Sequence, residues 1–153
     1  MIIAWMRKFF KINILLVFVL SILSCTGERG KSEMMSFEDI TSKYFESYDP
    51  AFEVSIRRPG NHAGTILIDK TKLSNVEMDG IKNKIKSDGW VEMENSENYT
   101  LYCLGNYQLI GILYPNDLIE RNKKGEEITY EDINSWNIGL YYNKNGVNSC
   151  EKI

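Results

Sequence analysis

The side chains most often used in catalysis and metal binding are scarce in this sequence. Its 153 residues include one histidine, His62, and three cysteines, Cys25, Cys103 and Cys150. One histidine cannot build a histidine-based zinc site, and a serine or cysteine nucleophile usually needs a histidine base. His62 lies in a turn-forming run at 59–64, and the common nucleophile and phosphate-binding motifs are missing from the sequence. We therefore predict no metal ligand, no cofactor and no catalytic residue.

Carboxylates provide the one catalytic alternative. The acidic residues are grouped at three places: Glu92, Glu94 and Glu97; Glu126 and Glu127; Glu131 and Asp132. A glycoside hydrolase needs two carboxylates on opposite sides of a cleft, so a glycan hydrolase is an alternative function. Charged residues in turns are usually solvated surface residues, and we favour that interpretation for these groups.

The charge balance argues against nucleic acid as a partner. The chain has 18 Lys and Arg against 21 Asp and Glu, a net charge of −3, whereas nucleic-acid binding needs a basic face. Lys82, Lys84 and Lys86 form one short basic run, which we interpret as the solvated side of a helix. Hydrophobic residues make up 43% and charged residues 25% of the chain, which is typical of a globular protein.

The N-terminal segment has the pattern of a signal peptide. Three cations, Arg7, Lys8 and Lys11, precede the segment 12–23, in which only two residues are not apolar. Twelve residues are too few to cross a bilayer comfortably as a helix, which takes ~20. They match the length of a signal-peptide hydrophobic region. An uncleaved membrane anchor is the alternative interpretation.

The next residues, Ile22-Leu23-Ser24-Cys25, resemble the lipobox of bacterial lipoproteins. In that family the cysteine sulfur receives a diacylglycerol, and the signal peptide is cut just before the cysteine. The resemblance covers the signal region only. It implies that Cys25 is lipidated and anchors the protein to a membrane, because two or three acyl chains hold firmly in a bilayer.

This resemblance divides the chain into three predicted parts. Residues 1–24 are the signal peptide, with Met6 as an alternative start, residues 25–35 are a lipidated flexible tether, and residues 36–153 are one domain. The mature net charge is −6, because the removed segment holds three cations and no acid. Thr26, rather than an aspartate, follows Cys25. In a Gram-negative lipoprotein this favours the outer membrane, with the protein facing the periplasm.

Cys103 and Cys150 are the cysteines that remain once Cys25 is assigned to lipid. Secreted proteins form disulfides readily, and a bridge between these two would be worth ~3–4 kcal/mol by closing a long loop. We predict the bridge; two free thiols are the alternative.

Hydrophobic periodicity predicts the elements of the mature domain. Capping-box sequences at Ser36 and Ser74 begin helices predicted at 37–47 and 75–88. Apolar, aromatic and alternating runs predict strands at 52–56, 65–69, 90–93, 99–104, 107–114 and 136–142. An exposed connection is predicted at 116–127 and a helical turn near Thr129. The order predicts an α+β fold, a small antiparallel sheet of about five to six strands with two helices on one face.

The two strands around Gly105-Asn106 are apolar on both faces, so we expect them in the middle of the sheet. A two-residue turn at Gly105-Asn106 would place Tyr102 opposite Leu109. Both faces of this hairpin then need cover, and two helices can cover only one.

Tyrosines on the uncovered face are the candidate partner-binding residues. The candidates are either the pair Tyr102 and Tyr107 or the pair Tyr99 and Tyr114, depending on which face the helices leave bare, unless the C-terminal segment folds over that face. Tyrosine is enriched in the cores of protein interfaces. We predict that at least two of the four are partly exposed and adjacent, and that they bind a protein.

Three function classes follow from these features. The leading hypothesis is a non-enzymatic envelope lipoprotein that binds a protein partner, with toxin immunity or inhibition as one form of it. The second is an envelope glycan hydrolase that uses paired carboxylates. The third is a small-ligand carrier, which would need an apolar cavity.

Overall fold

The computed structural model describes residues 34–96, 98–121, 125, 127–130 and 132–151. The predicted signal peptide, the lipobox with Cys25 and nearly all of the predicted tether lie outside the described residues. Within the described ranges, no helix has the length and apolar character needed to cross a membrane.

Two helices and eight strands make up the described chain. The helices are α1 (Phe37–Phe45), followed by a 3-10 turn at Glu46–Tyr48, and α2 (Asn75–Ser87). The strands are β1 (Ala51–Arg58), β2 (Asn61–Asp69), β3 (Val91–Asn95), β4 (Tyr99–Leu104), β5 (Gln108–Leu113), β6 (Ile119–Arg121), β7 (Glu127–Thr129) and β8 (Ser135–Asn143). A second 3-10 turn lies at Asn148–Cys150.

Six of the strands form one antiparallel sheet in the order β1-β2-β8-β5-β4-β3, and β6 pairs with β7 as a separate hairpin. The predicted α+β class with a six-stranded antiparallel sheet is therefore confirmed. The β4–β5 hairpin lies inside the sheet, as its two apolar faces predicted. The last strand of the chain, β8, inserts between β2 and β5.

The main core lies between the sheet and the two helices. From the sheet it contains Ile66 and Ile68 of β2, Tyr102 of β4, Ile110 and Ile112 of β5, and Trp136, Ile138 and Leu140 of β8. From the helices it contains Ile40, Tyr44 and Phe45 of α1, and Met78, Ile81 and Ile85 of α2. We call this side of the sheet the helix face and the other side the open face.

Both helices begin at the predicted caps. The Ser36 hydroxyl accepts a hydrogen bond from the backbone N–H of Asp39, at 3.0 Å. Ser74 and Glu77 form a complete capping box at the start of α2. These side chains satisfy N–H groups that have no partner within the helix. Gly89, just after α2, has φ 93°, the left-handed conformation that commonly ends a helix.

The C-terminal segment covers part of the open face. A disulfide joins Cys103 of β4 to Cys150, with the two Cα atoms 5.7 Å apart, as the sequence predicts. Both cysteines and Val147 are buried, and Leu109 of β5 and Tyr141 of β8 pack against them. The bridge therefore anchors the end of the chain on the face that the helices leave bare.

The predicted register of the β4–β5 hairpin is wrong by one residue. Tyr102 pairs with Ile110 and Cys103 with Leu109, because the turn contains three residues, Gly105 to Tyr107, rather than two. A shift of one residue moves a side chain to the other face. Tyr102 therefore shares its face with Ile110 and Ile112, on the helix side, rather than with Leu109, and Tyr107 belongs to the turn.

Three local predictions are also wrong, in whole or in part. The run 59–64 is not all turn, since β2 begins at Asn61 and only Pro59-Gly60 turn the chain. The described residues of the connection 116–127 are mostly exposed, as predicted, but the connection contains β6 rather than being irregular. Thr129 ends the strand β7 instead of beginning a helical turn. These short pairings have too few residues to show a periodic pattern.

Met35, the last residue of the predicted tether, contacts the domain. The side-chain amide of Gln108 donates to the Met35 carbonyl at 2.6 Å, and its oxygen accepts from the Met35 N–H at 3.1 Å. Gln108 is only 1% exposed, so a buried amide binds both polar groups of one backbone residue. We call this pair the Gln108 clamp. It fixes the place where the N-terminal segment meets the domain.

We expect the disulfide to supply a large share of the stability. Closing its 47-residue separation is worth about 4 kcal/mol in the chain-entropy model. Replacing both Cys103 and Cys150 with serine should lower the free energy of unfolding by roughly that amount, measured by urea denaturation. The control is the unmutated protein in reductant, which should match the double variant. A loss below about 1 kcal/mol would contradict the prediction, because native disulfides in small domains typically contribute more.

Candidate functional site

The four candidate tyrosines do not form one exposed patch. Tyr102 is fully buried on the helix face, and its hydroxyl donates to Glu92 at 3.3 Å. Burial first, and then the charge of Glu92, raise the pKa of Tyr102. Tyr107 is 49% exposed in the β4–β5 turn. The candidate Tyr102 is therefore wrong as a surface residue, because it lies on the face that the two helices cover.

Tyr99 and Tyr114 are half-buried at the other end of the hairpin, on opposite faces of the sheet. Tyr99 pairs with Leu113 on the open face, where its ring edge lies 3.6 Å from the position that a Cβ on Gly111 would occupy. Tyr114 packs on the helix-face core, with its ring centroid 4.5 Å from that of Trp136. Two of the four rings are partly exposed at this end, but the sheet separates them.

Both residues border an open cleft of about 330 Å³ between the start of α2 and the end of the sheet. Its lining is mostly polar, from Asn75, Asp79, Lys82, Asn98, Thr100 and Asn116, with the aromatic pair Tyr114 and Trp136. The aromatic pair has structural partners. The Trp136 Nε1–H donates to the Leu73 carbonyl at 2.8 Å, and the Lys70 ammonium lies 3.7 Å from the Tyr114 ring centre.

A larger groove lies on the open face, beside the β7 end of the small hairpin. It has a volume of about 570 Å³ and is lined by Ala51, Phe52, Glu53, Ser55, Thr65, Leu67, Thr129, Tyr130, Asp132 and Asn137. We call it the sheet groove. Tyr130 is nearly buried at 8% exposure, whereas Leu67 is 37% exposed. The groove thus combines one exposed aliphatic side chain with a polar rim.

This groove is not predicted from the sequence, although the sequence contains one signal for it. In the second half of strand β2 the residues on the open face are Thr65, Leu67 and Asp69, and they alternate with the buried Ile66 and Ile68. Leu67 is the apolar exception on an otherwise polar side. A strand with one unexpected apolar residue on its polar side marks a place where something else packs.

The described carboxylates of the predicted groups have structural partners. Glu92 lies 3.7 Å from the Lys86 ammonium and accepts the Tyr102 hydroxyl. Glu127 pairs with Arg121. Glu94 lies in β3. Glu97, Glu126 and Glu131 lie outside the described residues.

Among the described residues of those groups, Asp132 alone lines the sheet groove, and Glu53 lines it as well. The Asp132 carboxylate accepts hydrogen bonds from the Asn134 N–H at 2.8 Å and the Ser135 hydroxyl at 2.7 Å. These bonds lower the pKa of Asp132. A glycosidase general acid needs the opposite change, a raised pKa, so Asp132 is unsuited to that role.

His62 and Lys84, the other titratable candidates, also make contacts within the domain. His62 lies in β2 rather than in an exposed turn, with its ring 6.3 Å from that of Phe37 and 5.8 Å from that of Tyr142. Lys84 donates to the Lys43 carbonyl at 2.7 Å. Across the part of the chain that the structure describes, no three His, Cys, Asp or Glu side chains are placed to hold a metal ion.

Comparison with known proteins gives no relative. The chain matches no protein-family model, no curated protein and no solved structure.

Tyr99 should make the stability of the protein sensitive to alkaline pH. Burial, and secondly the charge of Glu94, raise the pKa of Tyr99 from 10.0 to about 12. In the unfolded chain the Tyr99 hydroxyl ionises near pH 10.0. The contribution of the neutral Tyr99 hydroxyl to folding stability is therefore complete below pH 10.0 and is lost as the pH rises toward 12. Tyr99→Phe should lose less stability than the unmutated protein across that window, measured by urea denaturation at each pH. Parallel losses in the two proteins would contradict the prediction.

Proposed function

We propose that this protein is a lipid-anchored, non-enzymatic protein of the bacterial envelope that binds a basic protein partner through the sheet groove. The observation that carries the proposal is the partly uncovered open face of the sheet, where Leu67 lies exposed in a groove with a polar and acidic rim.

The proposed location in the bacterial envelope rests on two features of the sequence, the lipobox-like residues and a pair of cysteines. The structure joins the cysteine pair in a disulfide. The lipobox-like residues around Cys25 support lipidation. Cys103 and Cys150 support export, because disulfides persist in oxidising compartments and are rare in the cytosol. The buried position of this bridge, at the centre of the packing on the open face, fits a protein that folds after it has left the cytoplasm.

The sheet groove supports a protein partner by its composition. Protein interfaces combine a buried apolar anchor with a polar rim. Leu67 supplies the anchor, and Thr65, Asn137, Glu53 and Asp132 supply polar groups around it. The two acids on the rim and the mature charge of −6 favour a partner with a basic contact surface, because charge complementarity steers association and suppresses wrong partners.

The edges of the sheet are less suited to binding than its face. Both edge strands are irregular, since the pairing of β1 shifts between Val54 and Ile56 and that of β3 between Glu92 and Glu94. Bulges of this kind bend an edge strand away and discourage strand addition. Recognition through the groove therefore fits the sheet better than pairing with an added strand.

A role in toxin immunity or inhibition is the form of this proposal that we favour. An inhibitor acts by occupying a surface of its target and needs no catalytic group. The protein is small and acidic, and a tether would hold it where an incoming basic toxin arrives. A co-occurring gene for a secreted basic protein would identify the partner to test.

Lipidation should depend on Cys25 alone. In cells that express the full chain, Cys25→Ala should release the protein from the membrane fraction or leave its signal segment uncut, since the acyl chains are the only proposed anchor. Cell fractionation and the mass of the N-terminal peptide give the result. Membrane retention of a cleaved Cys25→Ala protein would be inconsistent with lipid anchoring. Cys150→Ala serves as the control and should stay in the membrane.

Leu67 should be a contact in the complex. A photoreactive amino acid placed at Leu67 should cross-link one partner in cells, whereas the same residue at Val76, which is 81% exposed on α2, should not. Once the partner is purified, Leu67→Ala should weaken binding by roughly 30-fold, the loss expected for an interface anchor worth about 2 kcal/mol. Val76→Ala is the matched control for this titration. Equal cross-linking at both positions, or unchanged affinity in Leu67→Ala, would disprove a binding role for the groove.

A further inference from the structure

We propose that the end of the sheet at the Gln108 clamp docks on anionic lipid headgroups, so that the domain stands with its strands pointing away from the membrane. This inference rests on the proposed lipidation of Cys25 for its setting in the cell. Its physical basis is the place where the N-terminal segment joins the domain and the charge of the surface around that place.

Three turns form one surface beside the clamp. They are the β1–β2 turn at Pro59-Gly60, the β4–β5 turn at Gly105–Tyr107 and the turn after β8 at Lys144–Gly146. Backbone hydrogen bonds connect them, from the Lys144 N–H to the Gly60 carbonyl at 2.8 Å and from the Val147 N–H to the Asn106 carbonyl at 2.8 Å. We call this surface the tether end, because Gln108, which holds Met35, follows Tyr107 directly.

The length of chain that precedes the clamp keeps the tether end close to the bilayer. Eight residues separate Cys25 from Met34, so the nine steps between their Cα atoms can span roughly 30 Å at most. The sheet strands extend away from the clamp, and β8, with nine residues, is itself about 30 Å long. The tether end can therefore reach the headgroups easily, whereas the opposite end would have to turn over to do so.

The tether end carries the groups that suit an anionic lipid surface. Arg58 and Lys144 are exposed, and the Lys144 side chain lies across Gly60. Tyr107, 49% exposed, projects from the same surface, and tyrosine is enriched at the level of lipid headgroups. Cations near a membrane surface are attracted by its negative potential. Arg57 is also close, but it faces the Glu38 carboxylate at 3.4 Å.

The opposite end of the sheet carries the opposite charge. Asp69 ends β2, and Asp117, Glu120, Glu127 and Asp132 belong to the connection between β5 and β8. Three cations that the structure describes near them are engaged. Lys72 pairs with Asp49, Arg121 pairs with Glu127, and Lys70 lies on the Tyr114 ring. An anionic bilayer therefore attracts the tether end and repels this distal end, which gives the tethered domain one preferred orientation.

The orientation can be tested without relying on lipidation in the cell. The chain from Cys25 to Ile153 contains the whole compact unit that begins at Met34, and Cys25 is its only cysteine outside the disulfide. Its thiol can be coupled to a maleimide phospholipid in vesicles that contain phosphatidylglycerol and brominated phosphatidylcholine. The bromine atoms quench tryptophan fluorescence at short range, so the quenching reports which end of the domain is near the lipid.

Two variants supply the probes, Tyr107→Trp at the tether end and Leu118→Trp at the distal end. Both variants keep the native tryptophans, so they differ only in where the added tryptophan lies. Leu118 is 55% exposed. We expect several-fold stronger quenching for Tyr107→Trp. Equal quenching, or stronger quenching for Leu118→Trp, would overturn the orientation. A cellular chain that is not acylated at Cys25 would instead overturn the proposed anchoring and leave this result unaffected.

Charge reversal tests whether the exposed cations of the tether end cause this orientation. In the Tyr107→Trp protein, the pair Arg58→Glu and Lys144→Glu should reduce quenching to the level of Leu118→Trp. The matched control is the pair Lys82→Glu and Lys86→Glu on α2, which changes the net charge equally and should leave the quenching high. If both pairs reduce it to the same degree, only the total charge matters and docking through the tether end is wrong.

Discussion

A hairpin that is apolar on both faces sets the main constraint on this structure. Strands β4 and β5 lie inside the sheet, where one face presents Tyr102 and Ile110 and the other presents Cys103 and Leu109. Removing both faces from water is favourable in proportion to the apolar area, but a single layer of two helices covers only one side. The domain therefore needs a second cover, which the C-terminal segment and the small β6–β7 hairpin supply in part.

The disulfide makes the second cover possible. The segment after β8 is short and contributes few apolar residues, chiefly Val147, to the open face. Ordering such a segment costs conformational entropy, and so few contacts could not hold it in place unaided. The bridge from Cys103 to Cys150 keeps the segment close to the sheet even when its contacts break. The cover stops short of Leu67, and this is why the sheet groove exists.

The class of fold could be predicted from the sequence because it depends on patterns that are local. The alternation Trp136, Ile138, Leu140 identified β8 and its buried side, and the capping serines located both helix starts. The register of the β4–β5 hairpin depends instead on whether its turn has two or three residues. Gly105-Asn106 fits a two-residue turn, but the turn also includes Tyr107. Because side chains alternate between faces, that one residue places Tyr102 on the face of Ile110 instead of that of Leu109, and it puts Tyr99 and Tyr114 on opposite faces.

The candidate site was less predictable, since it depends on packing between distant segments. Thr129, Tyr130 and Asp132 line the sheet groove beside β2, and the charged connection that brings them there shows no periodic pattern. His62 shows the same limit. Its neighbours, Pro, Gly and Asn, are turn residues, yet only Pro59-Gly60 turn, and pairing with β8 extends β2 back to Asn61. Local composition located the turn but not its length.

The Gln108 clamp connects the fold to the proposed function. A buried side-chain amide normally needs partners for both its oxygen and its nitrogen, and here one backbone residue, Met35, supplies both. The N-terminal segment therefore joins the domain at one end of the strands. Leu67 lies five residues along β2 from His62, which is in register with Gln108 through Tyr142, and five residues of strand span about 17 Å. With the tether end on the lipid, the groove lies that far above the headgroups and opens to the side, where a partner protein can reach it.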